Sequence, residues 1–453
     1  MIDRTRWKAG RRCAFFCSSK PETASRRAII QTIARACAAT DFSEKSLVSK
    51  ISDALCDGKF SRWIRPLARD LEAEFRDHHR PREIEIVESI SENLRFERAL
   101  DSRKVVVTSV GVIESEAMRP SFGAPQSWTV PPATTLIDLA SLLEIHPVDL
   151  GWVTSYNNTT QHYHYRWHRK RGTPAKRLIE IPKPLLKMAQ SALLQNLLEA
   201  VPNHESSCAF QQGKSVFDFV NPHTNQEFSL KMDLKDFFPS ITSGRVFRIF
   251  HALGYPETIA KILTRTCVNS TPSELLEKAG MPLADRHLFN SPHLPQGAPT
   301  SPALANLAAF RLDCRLAGLA KSEGANYTRY ADDLLFSGDR EFHRKAKRFH
   351  ATVLAIIYDE GFLPNPRKTR FMPKSKRQRA AGLVFNEKPN VSRPEFDRLK
   401  AILSNCVRHD WESQNRESHP EFREHLLGRI QWVASSNPAR GGKLRSIFEQ
   451  VKW

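Results

Sequence analysis

Two adjacent aspartates interrupt an apolar stretch of the chain. The segment YADDLLFSG covers residues 330–338 and places Asp332 and Asp333 between Ala331 and Leu334. The pattern predicts a strand, a tight turn and a second strand, with the two carboxylates at the tip of a hairpin. A tip of this kind can hold a divalent metal ion, and it can equally be an ordinary charged turn. The pair alone leaves both interpretations open.

A third aspartate ends a separate apolar strand. In FSLKMDLKDFFPSI, residues 228–241, Phe228, Leu230 and Met232 alternate with polar residues, which predicts a strand ending at Asp233. If this strand and the hairpin are neighbours, the three carboxylates converge. They could then bind two Mg²⁺ ions, because Mg²⁺ combines a few carboxylates with substrate phosphate oxygens. Phosphoryl transfer uses this arrangement, in which one ion activates the attacking hydroxyl and the other neutralises the leaving pyrophosphate.

Two more segments suit a nucleotide site. HLPQGAPTSPALANL predicts a loop that opens a helix, with Gln296 and Gly297 placed against a nucleotide and Ser301 expected to cap the helix. NPRKTRFM puts Lys368 in a turn before a strand, where its ammonium group could donate a proton to pyrophosphate. Taken singly, these segments are a capped helix and a basic turn. Their order along the chain is what makes them specific.

The chain carries a large positive charge. Its 453 residues have a formal net charge of +19 and a pI of about 9.7, and residues 131–453 contribute +14 of that charge. Such an excess attracts polyanions, and nucleic acid is the commonest of them. No apolar run approaches the roughly 20 residues that span a bilayer. We therefore expect a cytoplasmic protein without a membrane partner, and the oligomeric state stays open.

The motifs DLKDFF, LPQGAPTSP, YADD, the lysine turn and GLVFN at 382–386 follow the order of the palm motifs of reverse transcriptases. The resemblance covers about residues 160–453, and within that family the chain is most similar to the bacterial retron enzymes. It implies an α+β fold, the right-hand polymerase, with fingers, a palm built on an antiparallel sheet and a helical thumb. We expect a mostly helical N-terminal extension at 1–130, fingers and palm at 131–390, and the thumb at 391–453.

The resemblance also assigns roles to individual residues. The expected metal ligands are Asp233, Asp332, Asp333 and, through its backbone, Leu234; the catalytic residues are the same aspartates and the general acid Lys368. The expected contacts to the incoming deoxynucleotide are Arg177, Lys183, Phe238, Gln296 and Gly297, and the expected primer grip contains Gly382, Leu383 and Val384. Phe238 occupies the steric-gate position, where a bulky ring would clash with a ribose 2′-OH and favour deoxynucleotides.

The function that this resemblance implies is RNA-directed DNA polymerisation, a nucleotidyltransfer. The enzyme would bind a structured non-coding RNA as template and primer, start DNA synthesis at one of its 2′-OH groups, and leave a branched RNA–DNA hybrid, the msDNA. Retron systems commonly act in antiphage defence with a separate effector protein. Two alternatives stay open: another bacterial reverse transcriptase of mobile-intron-like or other defence type, and a catalytically inactive RNA-binding scaffold. For residues 1–130 we expect a helical structural or RNA-contacting role rather than a nuclease effector.

The chain departs from the retron pattern at two places. Retron enzymes usually carry Asn-Ala-x-x-His before the first palm motif, whereas here Phe219 to His223 read FVNPH, and only His223 fits. They also tend to carry Val-Thr-Gly near the primer grip, whereas here Ala380, Ala381 and Gly382 occupy that stretch. In the family both elements are linked to recognition of the cognate RNA, so the departures bear on the subtype rather than on the polymerase chemistry.

Overall fold

The computed structural model describes residues 26–38, 42–55, 62–75, 81, 83–101, 130–154, 162–169 and 176–453. The chain divides into two compact units. The first comprises residues 1–123, 132–136 and 254–256, and the second comprises 124–131, 137–253 and 257–453. The domain boundaries expected near residues 130 and 390 stay predictions. Within the described part of the chain, no helix combines the length and the apolar character that a bilayer crossing needs.

Helices make up the described N-terminal part, as its periodicity predicts. They are α1 (Arg26–Ala38), α2 (Glu44–Ala54), α3 (Ile64–Glu74), α4 (Glu83–Glu92) and α5 (Leu94–Asp101). Helix α3 buries Ile64, Leu67, Ala68 and Leu71, a spacing of three and four residues that gives a helix one apolar face. These side chains join the apolar faces of the other helices in one core. Burial of these faces is what stabilises the unit.

The elements after residue 130 are mixed. The helices are α6 (Leu136–Leu142), α7 (Pro147–Val153), α8 (Pro184–Asn196), α9 (Val216–Val220), α10 (Ser243–Ala252), α11 (Glu257–Cys267), α12 (Ser273–Lys278), α13 (Leu283–Asn290), α14 (Ser301–Ala308), α15 (Phe310–Ser322), α16 (Arg340–Asp359), α17 (Arg393–Arg408), α18 (Phe422–Ser436) and α19 (Pro438–Phe448). The strands are β1 (Tyr163–Arg169), β2 (Lys176–Pro182), β3 (Phe228–Lys235), β4 (Asn326–Tyr330), β5 (Asp333–Gly338), β6 (Leu363–Pro364), β7 (Arg370–Pro373), β8 (Arg379–Ala380), β9 (Leu383–Val384) and β10 (Asn390–Val391).

A five-stranded antiparallel sheet lies at the centre of the second unit. Its order is β4-β5-β3-β6, and β7 pairs with another stretch of β3. Helix α16 packs on β3 and β5, and α15 packs on β4. Leu230, Met232, Leu334 and Phe336 are fully buried, so β3 and β5 form the core of the sheet. The expected antiparallel sheet is therefore present, and it carries the carboxylates at one end.

Two smaller sheets are present, one formed by strands that precede the central sheet in the sequence and one formed by strands that follow it. Strands β1 and β2 form an antiparallel hairpin, and β8, β9 and β10 form a three-stranded sheet. Helices α17, α18 and α19 follow in the 391–453 segment, where the sequence predicts three helices. They pack around Leu403, Leu426, Ile430 and Leu444, and this apolar cluster also includes Leu383 of β9. The C-terminal helices and the small sheet thus share one core.

Candidate active site

Strand register brings the three aspartates together. In the β3–β5 ladder Asp233 lies directly opposite Asp333, and the Leu234 N–H donates a 2.8 Å hydrogen bond to the Asp332 carbonyl. Side chains of directly opposed residues are about 5 Å apart at their Cβ atoms. Asp233 is 2% exposed. The end of a buried strand and the tip of a hairpin therefore meet at one point, as the sequence predicts.

The hairpin itself has a two-residue turn. Tyr330 pairs with Asp333, which leaves Ala331 and Asp332 as the loop. Ala331 has a φ of +54°, a left-handed conformation that two-residue hairpin turns require at their first position. Asp332 is thus at the tip, whereas Asp333 is the first residue of β5. The strand–turn–strand prediction is confirmed. The backbone of Asp332 lies in the turn, whereas that of Asp333 lies in a strand.

Burial and mutual repulsion perturb the carboxylates. Burial, and then the charges of Asp233 and Asp333, raise the pKa of Asp332 to about 6. Burial also raises the pKa of Asp333, although Lys231, whose Nζ lies 2.9 Å from the Asp333 carboxylate, opposes the shift. Raised pKa values of this kind mean that burial and mutual repulsion disfavour the ionised form of these carboxylates. A divalent cation would relieve the repulsion.

Lys368 contacts the same cluster. Its Nζ lies 2.6 Å from Asp233 Oδ2, and the Asn365 amide donates to Asp233 Oδ1 at 2.9 Å. The Asn365 N–H also donates to the Asp233 carbonyl at 2.7 Å. Burial would lower the pKa of Lys368, but the hydrogen bond and the charge of Asp233 outweigh it and raise that pKa. The turn predicted around Lys368 is a short 3-10 helix, Pro366–Lys368, held against the end of β3 by these contacts.

Sequence reasoning missed Asn365 and Lys231. Lys231 lies two residues before Asp233 and so on the same face of β3, a signal that strand alternation offers. Asn365 offers no such signal beyond its place in the lysine turn, because its partner is 132 residues away. Both side chains orient or neutralise the aspartates.

The residues present fit a hard divalent cation. The side chains that converge are carboxylates, the ligands that Mg²⁺ takes together with phosphate oxygens. Among the described residues, no group of three or more acidic, histidine or cysteine side chains is placed so that it could hold a metal ion. Lys231 and Lys368 instead neutralise Asp333 and Asp233. The donor chemistry suits Mg²⁺. The ammonium groups of the two lysines would have to move away from the carboxylates before an ion could bind there.

Gly297 allows the loop of residues 295–297, named the PQG loop, to contact the β1–β2 hairpin. The Glu180 N–H donates a 2.9 Å hydrogen bond to the Gln296 carbonyl. Gly297 has a φ of +132°, and a Cβ there would lie 2.7 Å from the Glu180 carbonyl oxygen and 3.0 Å from Ile179 Cγ2. Arg177 lies two residues before Ile179 and on the same face of β2. Arg177, Gln296 and Gly297 are therefore brought to one region of the fold.

A buried carboxylate anchors this hairpin. Glu180 accepts hydrogen bonds from Asn269 Nδ2 at 2.7 Å and Thr271 Oγ1 at 2.8 Å, and His293 Nε2 lies 3.0 Å from its other oxygen. Burial would raise the pKa of Glu180, but the contacts with His293 and the two other donors lower it. Sequence reasoning missed this network. Lys183, by contrast, lies at the base of the hairpin, where it precedes α8.

Phe238, the residue expected at the steric gate, is half-buried among aromatic rings. The Phe238 ring centroid lies 5.7 Å from that of Phe237 and 6.2 Å from that of Phe210. Phe210 is 47% exposed and has a φ of +59°, an uncommon conformation for a bulky residue. Residues held in such conformations cluster at functional sites. The Phe210 ring lies beside the Phe238 ring, and the sequence alone does not indicate this contact.

The capping role expected of Ser301 was wrong. Helix α14 begins at Ser301, so its N-cap is Thr300, and Thr300 makes no side-chain capping hydrogen bond. Thr300 already has helical φ and ψ, whereas a capping residue is usually extended. Pro302 in the first turn also lacks an N–H, which reduces the need for a cap.

An ion pair is buried beneath the YADD turn. Arg329 is fully buried and contacts both oxygens of Asp313, with Nε–Oδ1 at 2.8 Å and Nη2–Oδ2 at 2.7 Å. Arg329 Nη1 also donates to the Ala331 carbonyl at 3.2 Å, and the Tyr327 hydroxyl donates to Asp313 at 2.7 Å. Burial would lower the pKa of Arg329, but the Asp313 charge raises it. The pair therefore holds the backbone of the turn that carries Asp332.

His223 is a structural residue behind the sheet. Its Nδ1 lies 2.7 Å from Ser337 Oγ and its Nε2 lies 2.8 Å from Thr328 Oγ1. The Thr328 hydroxyl donates its proton to the Phe219 carbonyl at 2.7 Å, so Nε2–H must donate and Nδ1 must accept. Complete burial lowers the pKa of His223 to about 3. The one residue of the retron His motif that is present thus joins β4 and β5 as a neutral side chain.

The expected primer grip is a second two-residue hairpin. Ala380 pairs with Leu383, and both loop residues have positive φ, +46° at Ala381 and +83° at Gly382. This is the geometry of a type I′ turn, which favours glycine at the second position. Leu383 is fully buried and Val384 half-buried, so only the turn is freely accessible. Ala381 lines the cavity that also contains Asp332 and Asp333.

Comparison with known proteins gives a consistent result. Residues 168–385 match the family described as "Reverse transcriptase (RNA-dependent DNA polymerase)". The chain is 38% identical to the Retron Mx65 reverse transcriptase of Myxococcus xanthus over 59% of this chain and 60% of that protein. It is 34% identical to the Retron Mx162 reverse transcriptase of the same organism, over 67% and 64%. It is also 34% identical to the Retron Ec86 reverse transcriptase of Escherichia coli, over 54% and 70%.

The matches to the two Myxococcus proteins thus span less than two-thirds of their length. The family match includes the sheet with the three aspartates and the PQG loop, and it ends at Phe385, before the C-terminal helices. Because the Ec86 match covers more than two-thirds of a retron enzyme at 34% identity, the relationship extends beyond the short motifs. The chain therefore belongs to the reverse transcriptases, and within them to the retron type.

Proposed function

We propose that this protein is an RNA-directed DNA polymerase that copies part of a structured non-coding RNA into DNA. The observation that carries the proposal is the convergence of Asp233, Asp332 and Asp333 at one end of the sheet, with Asp233 opposite Asp333 in register. A cluster of like charges is costly to bury, so a protein that only binds RNA has no need to keep it. Membership of the retron family supports the same reading.

The reaction joins a hydroxyl oxygen to the α-phosphorus of a deoxynucleotide, while the bond to pyrophosphate breaks and the hydroxyl proton passes to water. Two Mg²⁺ ions held by the three aspartates and the Leu234 backbone would stabilise the attacking oxygen and the leaving pyrophosphate. Lys368 is an ammonium group at neutral pH, because the ordinary lysine pKa of about 10.4 already lies far above 7, and the Asp233 carboxylate raises the pKa of Lys368 further. It is the group that donates a proton to the departing pyrophosphate. Asn365 holds Asp233 in position, whereas Lys231 neutralises Asp333 until a metal ion takes its place.

Selection of the nucleotide falls to the other side of the site. Phe238 lies against the sugar and disfavours a 2′-OH, and the PQG loop with Gln296 and Gly297 lies against the nucleotide. Arg177 contacts the triphosphate from β2. Lys183, at the base of the hairpin just after β2 and before α8, contacts the triphosphate as well.

The template and primer occupy the side near the C-terminal helices. The turn at Gly382 contacts the primer strand, and α17, α18 and α19 hold the hybrid by its backbone and shape. The net charge of +19 suits a ligand bound largely through phosphates. As in the retron type, synthesis would start from a 2′-OH of the RNA and give msDNA in the cytoplasm. An antiphage role with a separate effector protein follows from the family alone.

The test uses cells that express the gene with its flanking DNA. After RNase treatment of the extract, we expect a short, discrete single-stranded DNA that disappears in the Asp332→Asn, Asp333→Asn double variant. Asp359→Asn at the end of α16, an exposed carboxylate whose exposed ion pair contributes little, is the matched control and should keep the band. RNA binding by the double variant is measured by filter retention.

The result separates the readings. Loss of the DNA with RNA binding retained supports the enzyme. If the double variant keeps its cellular phenotype while no DNA is made by either protein, the protein is an RNA-binding scaffold and the proposal fails. If purified protein extends a primer on RNA but no discrete DNA accumulates in cells, it is a reverse transcriptase of another kind.

A further inference from the structure

A cavity opens beside the catalytic turn on the side of the C-terminal helices. Its volume is about 580 Å³, within the range of pockets for one small ligand. Asp332 and Asp333 form one wall, and Ala381 of the β8–β9 turn forms another. The described residues that line it do not include Gln296 or Phe238. The cavity therefore shares the two aspartates, but not these two residues, with the expected deoxynucleotide site.

Two aromatic rings from distant parts of the chain make up the apolar wall. Phe217 comes from α9 and Trp432 from α18, and their ring centroids are 6.1 Å apart with planes inclined by 35°. Both residues are only partly buried, although they pack against the core that α17 to α19 share with the small sheet. Tyr330 of the YADD turn adds a third ring to the lining. An apolar, aromatic surface is thus left accessible directly beside two carboxylates.

This combination restricts what the cavity can hold. Exposed aromatic rings suit a planar base, because every base can stack on them irrespective of sequence. The adjacent carboxylates are where the attacking hydroxyl must lie if the proposed reaction is right. A ligand that offers a base to Phe217 and Trp432 and a sugar hydroxyl to Asp332 and Asp333 is a nucleotide of the primer.

We propose that Phe217 and Trp432 form a stacking site for one unpaired base, that of the RNA nucleotide whose hydroxyl starts DNA synthesis. The inference rests on the proposed function and names the substrate group of that same site. A nucleotide in an annealed primer is already held by its pairing partner and by the hybrid behind it. The initiating nucleotide has neither, so stacking contributes most at the first addition. Removal of one aromatic stacking partner costs roughly 5- to 150-fold in binding of a base.

The experiment compares initiation with extension in the full-length chain. Initiation is the yield of the discrete DNA in cells that carry the gene and its flanking DNA. Extension is the addition of one deoxynucleotide to a DNA primer annealed to an RNA template by purified protein. Trp432→Leu removes the ring and keeps an apolar side chain, and Trp432→Phe keeps a ring. Trp411→Leu is the matched control, since Trp411 packs on the same core but is not among the residues lining the cavity.

We expect Trp432→Leu to lower initiation at least tenfold and extension by a clearly smaller factor, with Trp432→Phe retaining most of the initiation. Phe217→Leu should show the same imbalance, and Trp411→Leu should show none. Equal losses in both assays would mean that the ring contacts any primer or merely packs the helices, and the inference would be overturned. It is also overturned if wild-type protein extends annealed primers but makes no discrete DNA. If wild-type protein does neither, the proposed function itself fails.

Discussion

Replacement of Gly297 by alanine tests how the PQG loop and the β1–β2 hairpin cooperate. The glycine has a φ of +132°, a conformation that residues with a Cβ rarely adopt, and its missing Cβ would lie 2.7 Å from the Glu180 carbonyl oxygen. Alanine therefore strains the loop and also pushes β2 away. The contact at risk is the 2.9 Å hydrogen bond from the Glu180 N–H to the Gln296 carbonyl.

The magnitude follows from these two effects. An unfavourable backbone conformation costs about 1–3 kcal/mol. If β2 retreats by about half an ångström, the Glu180–Gln296 hydrogen bond exceeds the usual ~3.2 Å limit, and about 0.5–1.5 kcal/mol is lost. Together they amount to about 1.5–4.5 kcal/mol. Because each 1.4 kcal/mol is a factor of ten, we expect kcat/KM for the deoxynucleotide to fall by about 10- to 1,600-fold if nucleotide binding has to restore the native contact.

The assay is single-nucleotide addition by the full-length protein to a DNA primer annealed to an RNA template, over a range of deoxynucleotide concentrations. Gly324→Ala is the matched control, since Gly324 has a φ of +68° but no atom within 4 Å of the position of a Cβ. It carries the backbone strain without the steric clash. A wild-type kcat/KM for Gly297→Ala, or an equal loss in Gly324→Ala, would refute the reasoning.

Three further substitutions have definite expected outcomes. Arg329→Met should lower the free energy of unfolding, measured by urea denaturation, by about 3–5 kcal/mol, because it leaves the Asp313 charge buried and unpaired. The double variant with Asp313→Leu should recover part of that loss. No recovery would contradict this account. His223 has a folded-state pKa of about 3 against about 6.5 when unfolded, so stability is fully present above pH 6.5 and falls as the pH drops towards 3. His223→Gln should flatten that dependence by up to about 1.4 kcal/mol per pH unit, measured by urea denaturation between pH 7 and 5. Phe238→Val should raise ribonucleotide incorporation relative to deoxynucleotide incorporation, and an unchanged ratio would remove the steric-gate assignment.

The sequence alone determined the local elements that carry the chemistry. The strand that ends at Asp233 and the hairpin with Asp332 at its tip follow from alternation and turn patterns, which act over a few residues. The order of the motifs was sufficient to indicate the family. The lysine turn was placed correctly for the same reason. The capping of α14 was not, because Thr300 before the helix already has helical φ and ψ, which the sequence does not reveal, and no side chain caps the helix.

The tertiary structure decided which side chains meet. Register places Asp233 opposite Asp333, and it makes Lys231 and Asn365 neighbours of the aspartates. The anchor of the β1–β2 hairpin at Glu180 joins residues 89 to 113 positions apart, and His223 proves to be a buried neutral link rather than an RNA contact. Periodicity shows which face of a strand a residue lies on, but not which strand pairs with it or in what register. Those pairings are non-local, and they are what turn separate motifs into a site.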